Sequence, residues 1–207
     1  MMTTPHPSWD GDLFATLPGN DEEAERKLRA RLAAAASEAG ILDVAYRTID
    51  TPVGVLLLAA TDTGLVRVAY ASENHDQVLD QLANKVSPRV LRAPARLEMA
   101  AREIEEYFAG RRTRFDLPLD FQLSSGFRRA VLTRLPGIAY GKTASYAAMA
   151  AAAGNPNAVR AAGTACATNP LPVVVPCHRV IRSDGTLGQY VGGFDVKKTL
   201  LTLEGAA

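Results

Sequence analysis

Cysteine is scarce in this 207-residue chain, which contains only Cys166 and Cys177. Two thiols are too few for a disulfide framework, and a zinc site made of four cysteines is excluded. The chain also has no run of about 20 apolar residues, and its N-terminus has no basic stretch followed by an apolar one. We therefore expect a cytoplasmic protein with free thiols and no membrane segment.

Net charge is also small, at +1, but it is unevenly distributed. Residues 1–40 carry 4 basic and 7 acidic side chains (−3), and residues 41–121 carry 10 and 12 (−2). Residues 122–207 carry 9 and 3, which gives +6. A polyanion such as DNA is therefore expected to bind the last third of the chain.

The pattern along the chain predicts an acidic extension and two domains. Residues 1–40 form the extension, in which residues 1–20 indicate a flexible arm and residues 25–38 an Ala-rich helix that ends at Gly40. This extension is a solvated arm, a packed stabilising helix or a partner-binding element, and the sequence leaves the three open.

The predicted N-terminal domain, residues 41–113, has an α/β pattern. Three β-rich runs separated by short turns indicate an antiparallel meander, and two helices follow. The runs are residues 43–49, 54–59 and 65–70, and the helices are residues 75–85 and 96–109. An extended segment within residues 114–123 is expected to link this domain to the next.

The predicted C-terminal domain, residues 124–207, is mostly helical. Its helices are expected at residues 125–135, 145–153 and 156–168. Gly154 suits the end of one helix and Pro156 the first turn of the next, so the last two helices indicate a helix-turn-helix whose second helix contacts DNA. A generic helical hairpin is the plainer alternative. The turn at residues 183–188 resembles a wing.

Cys177 and His178 are the residues best suited to chemistry. A valine run flanked by Pro172 and Pro176 predicts a rigid, buried, strand-like lead to them. A thiol becomes a nucleophile when a base takes its proton, and His178 can act directly or through a water if an acid orients its ring. Glu204, the only acid after Asp195, is the candidate orienter. An inert packed thiol is the alternative for Cys177, and it is our expectation for Cys166.

Several motifs in fixed order carry a family resemblance. Residues 176–180 read PCHRV and are followed by GQYVGG at 188–193. Upstream lie YGKTASY (140–146), GNP (154–156), VRAAG (159–163) and TNP (168–170). Together they closely resemble the O-6-alkylguanine-DNA alkyltransferases, also called methylated-DNA protein-cysteine methyltransferases. The resemblance implies an N-terminal α/β domain with an RNase H-like sheet, followed by a winged helix-turn-helix domain that holds the cysteine.

The resemblance also implies residue roles. On the recognition helix, Arg160 would fill the space of a flipped base and Ala161, Ala162 and Gly163 would face the minor groove, while Tyr146 would promote flipping. Around the base, Tyr190 would donate a hydrogen bond to the leaving guanine and Asn169 would support the site. The remaining implied pocket residues are Pro172, Val191, Gly192 and Gly193, although Val191 lacks the hydroxyl group that its position often carries.

The implied reaction is a single transfer of the alkyl group to Cys177, activated by His178 and Glu204. It needs neither a cofactor nor a metal. The implied partner is double-stranded DNA that contains alkylated guanine, bound by a protein that is monomeric in solution and able to assemble cooperatively on DNA; acceptance of O-4-alkylthymine is open. Two other classes remain: a winged-helix protein whose Cys-His pair is structural or senses damage, and a cysteine hydrolase that uses Cys177 and His178.

Overall fold

Two folded parts joined by one connecting segment are seen in the computed structural model, which describes residues 22–206. The predicted arm at residues 1–20 lies outside the described residues. None of the described helices is long and apolar enough to cross a membrane.

The N-terminal part is built on a four-stranded sheet with the strand order β3-β2-β1-β4. Its strands are β1 (Val44–Ile49), β2 (Leu56–Ala60), β3 (Leu65–Tyr70) and β4 (Val90–Arg92). The predicted antiparallel meander of β1, β2 and β3 is confirmed. The parallel pairing of β4 with β1 was not predicted, because three residues carry too little alternation to identify a strand.

Three helices accompany this sheet, and the first of them precedes it in the chain. They are α1 (Glu22–Glu38), α2 (His75–Lys85) and α3 (Glu98–Phe108). Helix α1 buries Ala33 and Ala36 in the main core but leaves Leu28 and Leu32 exposed. Helix α1 therefore packs on the fold through Ala33 and Ala36 only. Gly40 follows its end with a φ of +65° that favours glycine.

The connecting segment is extended, as predicted, and it binds the free edge of β3. Leu65 donates its N–H to the Pro118 carbonyl, and Asp120 donates to the Leu65 carbonyl, both at 2.8 Å. Gly64 is required at this crossing because a Cβ there would lie 2.3 Å from the Pro118 oxygen. The segment therefore fixes the C-terminal part against the sheet.

The C-terminal part consists of four short helices and a small two-stranded sheet. Its helices are α4 (Gly126–Leu132), α5 (Tyr146–Ala152), α6 (Val159–Ala167) and α7 (Phe194–Leu203), and its parallel strands are β5 (Ala144–Ser145) and β6 (Val180–Ile181). The predicted helix-turn-helix is the pair α5 and α6. At the predicted wing, Arg182 donates its N–H to the Thr186 carbonyl at 2.9 Å and closes a tight turn.

The start of α6 differs from our expectation for Pro156. The helix begins at Val159, and Pro156 lies in the preceding turn. The Asn155 side chain accepts the N–H of Asn157 at 3.2 Å, and its carbonyl accepts the N–H of Ala158 at 3.0 Å. These hydrogen bonds stabilise a separate turn before the helix, which is why the placement of Pro156 in the first helical turn is wrong.

Candidate active site

The segment before Cys177 is buried, as expected, but it is a turn and not a strand. Val175 donates its N–H to the Leu171 carbonyl at 2.8 Å, and Val173 has a φ of +72°. A β-branched residue rarely adopts this left-handed conformation, so the surrounding contacts must hold it. The expectation of a strand-like lead is therefore wrong. It gave the valine content of this segment more weight than its turn-forming Pro and Asn residues.

Asn169 braces this turn and reaches the candidate nucleophile. Its side-chain oxygen accepts the N–H of Leu171 at 3.0 Å, and its amide nitrogen donates to the Val175 carbonyl at 2.8 Å. The same nitrogen lies 3.1 Å from Cys177 Sγ and donates a hydrogen bond to it. One side chain thus connects both ends of the turn with the thiol, in the supporting position predicted for Asn169.

A single 3₁₀ turn, Cys177–Arg179, carries the reactive pair. Cys177 is 1% exposed and His178 is 0% exposed. Among the described residues, the Cys177 thiol and the His178 ring share no direct hydrogen bond, and His178 Nδ1 has no hydrogen-bond partner. The direct contact predicted between the thiol and the imidazole is therefore not seen, and the route through a water stays a prediction.

Glu204 lies at the centre of a buried hydrogen-bond network. Its carboxylate accepts His178 Nε2 at 2.8 Å, Arg179 Nε at 2.8 Å and the Tyr107 hydroxyl at 2.7 Å. The predicted contact between Glu204 and His178 is present. The sequence did not reveal Tyr107, which reaches the carboxylate from α3 in the N-terminal part.

Burial and hydrogen bonding set the charge states of these groups in opposite directions. Burial alone would raise the pKa of Glu204, but hydrogen bonds from His178 and Arg179 outweigh it and lower the pKa to about 2. Burial lowers the pKa of His178 despite its bond to Glu204. Burial raises the pKa of the Cys177 thiol to about 11, against the hydrogen bond from Asn169. At neutral pH the site therefore holds a carboxylate, a neutral imidazole and a thiol.

Lys197 is a buried cation that our sequence reasoning missed. Its ammonium group donates to the Val180 carbonyl at 2.6 Å, and its charge lowers the pKa of the Cys177 thiol. A signal was available, because Lys197, Leu200, Leu201 and Glu204 follow the i, i+3, i+4, i+7 spacing of one buried helix face.

Three of the predicted pocket residues line one cavity. A cavity of about 530 Å³ is lined by Tyr190, Val191 and Gly193, within the size range of small-molecule sites. Pro172 is buried in the turn before Cys177. At Gly192 a Cβ would lie 2.7 Å from the Tyr70 ring, so this close contact requires glycine.

The predicted DNA-contacting residues lie on α5 and α6 and differ in exposure. Arg160 and Ala161 are exposed, and a cavity is lined by Arg160, Tyr146 and Gly163. Ala162 is 0% exposed because its side chain packs into the core. Ala162 shares its buried helix face with Ala165 and Cys166, so its side chain does not lie on the exposed face of α6.

Residues 22–206 contain no group of three or more His, Cys, Asp or Glu side chains that is arranged to hold a metal ion. Both cysteines are free and buried.

Comparisons with known proteins agree with this architecture. Residues 44–121 match the 6-O-methylguanine DNA methyltransferase, ribonuclease-like domain, and residues 126–206 match the 6-O-methylguanine DNA methyltransferase, DNA binding domain. The methylated-DNA–protein-cysteine methyltransferase of Mycolicibacterium paratuberculosis is 40% identical over 161 residues, which cover 78% of this chain and 92% of that protein.

Solved structures give the same result. The crystal structure of Mycobacterium tuberculosis O6-methylguanine methyltransferase matches with a TM-score of 0.69 and 36% identity, covering 79% of this chain and 93% of that one. Mycobacterium tuberculosis OGT in complex with DNA matches with a TM-score of 0.68 and 36% identity, covering 78% and 93%. By its two domain matches and its close relatives, this chain belongs to the 6-O-methylguanine DNA methyltransferase family.

Proposed function

We propose that this protein repairs DNA by transferring the alkyl group of O-6-alkylguanine to Cys177, with O-4-alkylthymine as a further substrate to test. The observation that carries the proposal is the placement of the Cys177 thiol beside Asn169, on the same short turn as a histidine that is bonded to a buried carboxylate. A thiol in this setting gains nucleophilicity only when its proton leaves, and the paired histidine is the base within reach.

The proposed transfer forms one bond and breaks one. Cys177 Sγ attacks the alkyl carbon in line with the departing guanine oxygen, and the electron pair of the broken carbon–oxygen bond stays on guanine. His178 accepts the thiol proton through a water, and Glu204 stabilises the resulting imidazolium. Guanine gains one proton, which balances the proton that the thiol loses. A thioether is a poor leaving group, so each molecule reacts once, without a cofactor or metal.

The proposed partner is double-stranded DNA that contains an alkylated guanine. Residues 122–207 carry the charge of +6, and Arg160 and Ala161 are exposed on α6. We propose that α6 enters the minor groove and that Arg160 fills the space of the flipped base while Tyr146 favours flipping. Gly163 lies beside the Tyr146 ring, and both residues line a cavity together with Arg160.

The flipped base is proposed to enter the cavity beside Tyr190 and Val191. Cys177 is buried, so the proposal includes a movement that uncovers the thiol when the base enters. Gly193, with a φ of +89°, gives this loop a conformation that favours glycine. Asn169 fixes the turn that leads to the thiol through its hydrogen bonds to Leu171 and Val175.

The proposed organisation keeps an N-terminal extension at residues 1–40, domains at 41–113 and 124–207, and a linker at 114–123. Free thiols at both cysteines support a reducing location such as the cytoplasm. The monomeric state in solution and cooperative assembly on DNA stay predictions, which sedimentation with and without duplex DNA would measure.

The test is direct. The protein is incubated with duplex DNA that carries O-6-methylguanine, and the peptide that contains Cys177 is weighed by mass spectrometry. We expect the mass of one methyl group to be gained, to be absent in Cys177→Ala and to be retained in Cys166→Ala. An unmodified peptide in the presence of excess lesion would refute the proposed function.

A further inference from the structure

A further cavity lies where the N-terminal part meets the C-terminal part. It measures about 300 Å³ and is lined by residues of β3, α2, α4 and α6. Its charged lining residues are Arg67, Glu73, Lys85 and Arg128. Three cations and one acid give this cavity a local charge of +2, although residues 41–121 as a whole carry a net charge of −2.

The charge of Arg67 is already compensated. Its guanidinium forms an ion pair with Glu73 and donates to the Pro170 carbonyl at 3.2 Å. These contacts fix Arg67 and Glu73 in the wall of the cavity. The excess positive charge is therefore that of the other two cations, Lys85 and Arg128.

Arg128 is a half-buried cation that pairs with no acid in residues 22–206. Its Nη2 donates to the Thr168 carbonyl at 2.7 Å, while its buried Nε has no hydrogen-bond partner among the described residues. Burial lowers the pKa of this guanidinium, and the nearby charge of Arg67 lowers it further. An anion in the cavity would supply the missing acceptor and the missing counter-charge, since a partly buried charge is costly when it is unpaired.

Lys85 lies on the side of the cavity that is open to solvent. It belongs to the last turn of α2, is exposed and forms no ion pair with any described acid. Its ammonium group, on a flexible stem, can contact an anion that enters from solvent. A guanidinium fixed by Thr168 and a free ammonium together suit a phosphate group, whose oxygens accept several charge-assisted hydrogen bonds.

The cavity is continuous with the exposed face of α6. It shares Val191 with the cavity beside Tyr190, and that cavity shares Arg182 with the one lined by Arg160. Arg160 and Arg182 are both exposed, so positive charge continues along this row of cavities. A polyanion that binds α6 is therefore attracted toward Arg128 as well.

We propose that this cavity binds a backbone phosphate of the DNA duplex, held by Arg128 of the C-terminal part and Lys85 of the N-terminal part. This inference rests on the proposed function, which makes duplex DNA the partner. The N-terminal part then contributes to DNA affinity through the backbone and not through the bases. Such a contact positions the duplex and carries no sequence preference.

The test measures affinity for unmodified duplex DNA by fluorescence anisotropy over a range of salt concentrations. A phosphate contact that is lost reduces the slope of log affinity against log salt by about 0.9. We expect this reduction, and binding about tenfold weaker at low salt, in the double variant Lys85→Gln, Arg128→Gln. Lys85→Gln alone should weaken binding about threefold. Because Lys85 is exposed, this variant keeps the test valid if the loss of Arg128 impairs folding.

Arg102→Gln is the matched control. Arg102 is an exposed cation of the N-terminal part, on α3. Helices α2 and α3 pack on opposite faces of the sheet, against alternate residues of β2. The same loss of charge at Arg102 should therefore leave both the affinity and the salt slope at their wild-type values.

A second measurement distinguishes the duplex from a free anion. The melting temperature of the DNA-free protein is followed as inorganic phosphate replaces chloride at constant ionic strength. If phosphate stabilises wild type but not the double variant, while both bind the duplex equally, the cavity binds free phosphate and the proposal is overturned.

The remaining outcomes separate this site from the proposed function. Unchanged duplex affinity and salt slope in the double variant would overturn the phosphate contact, whether or not the protein transfers methyl groups. Wild-type protein that transfers no methyl group, but loses duplex affinity in these variants as expected, would refute the proposed function and support the phosphate contact.

Discussion

Glu204→Gln isolates the negative charge at the centre of the active-site network. Glutamine keeps the size and one carbonyl oxygen of the side chain, so Tyr107 and one nitrogen of Arg179 retain an acceptor. The charge that pairs with Arg179 and that would stabilise the His178 imidazolium is lost. Because Arg179 is also buried, the substitution leaves a cation without its counter-ion.

The loss of stability in Glu204→Gln can be calculated in two ways. The pKa of Glu204 falls from an ordinary value of 4.5 to about 2, which corresponds to roughly 3 kcal/mol of stabilisation of the ionised form. Breaking a buried ion pair by removing one partner costs about 3–5 kcal/mol. The two agree, and for a chain of this size they predict a fall in melting temperature of about 10 °C.

The effect on rate is measured separately. We expect the limiting rate of methyl transfer to fall about 100-fold, within the range of general-base contributions, while affinity for unmodified duplex DNA stays within about twofold because α6 is unaffected. Stopped reactions followed by mass spectrometry give the rate, and fluorescence anisotropy gives the affinity. Glu103→Gln is the matched control, since Glu103 is a buried acid that pairs with Arg112 in the N-terminal part.

Glu103→Gln should lose stability without slowing methyl transfer when it and Glu204→Gln are assayed well below their melting temperatures. A destabilised Glu204→Gln that reacts at the wild-type rate would remove Glu204 from proton transfer and leave it a structural role. An unchanged melting temperature would contradict the reasoning about the buried pair as well.

Three further predictions concern DNA, the thiol and pH. Arg160→Ala should slow repair of duplex DNA about tenfold or more but leave reaction with the free O-6-methylguanine base unchanged, because only the duplex requires base flipping; equal losses would contradict the intercalating role, and Arg129→Ala is the exposed control. Asn169→Ala should destabilise the protein by about 1–3 kcal/mol and raise the pKa of the Cys177 thiol, as followed by thiolate absorbance; an unchanged titration would refute the contact with sulfur. Stability should fall on acidification in two windows, which denaturant titrations across pH would resolve. The pKa of His178 is lowered in the native state, so the unfolded chain takes up a proton first as the pH drops through about 6.5, and the native state loses stability. The pKa of Glu204 is also lowered in the native state, so its contribution to stability is lost between about pH 4.5 and pH 2. A flat profile in either window would refute the corresponding assignment.

The residues that the sequence predicted best are those whose signal is local. The pair Cys177 and His178 is adjacent in the chain, and the contact with Glu204 was predicted because Glu204 is the only acid after Asp195. The three strands of the meander alternate with turn residues, so β1 to β3 were predicted within a few residues.

What sequence reasoning missed depends on contacts between distant segments. Tyr70 meets Tyr190 across 120 positions, and Tyr107 reaches Glu204 from α3, so neither pairing leaves a periodic signal. Val173 adopts a left-handed conformation because tertiary contacts outweigh its β preference. Ala162 and Lys197 are different, since the helical spacing of buried positions would have identified both.

The burial of Cys177 has a consequence for the working life of a molecule that reacts once. A thiol that is 1% exposed and protonated at neutral pH, with a pKa of about 11, is a poor target for peroxides, disulfides and stray electrophiles, which attack the accessible thiolate. Such side reactions would consume the protein as completely as a lesion does. The fold therefore keeps the Cys177 thiol of each molecule unreacted until a damaged base enters the site.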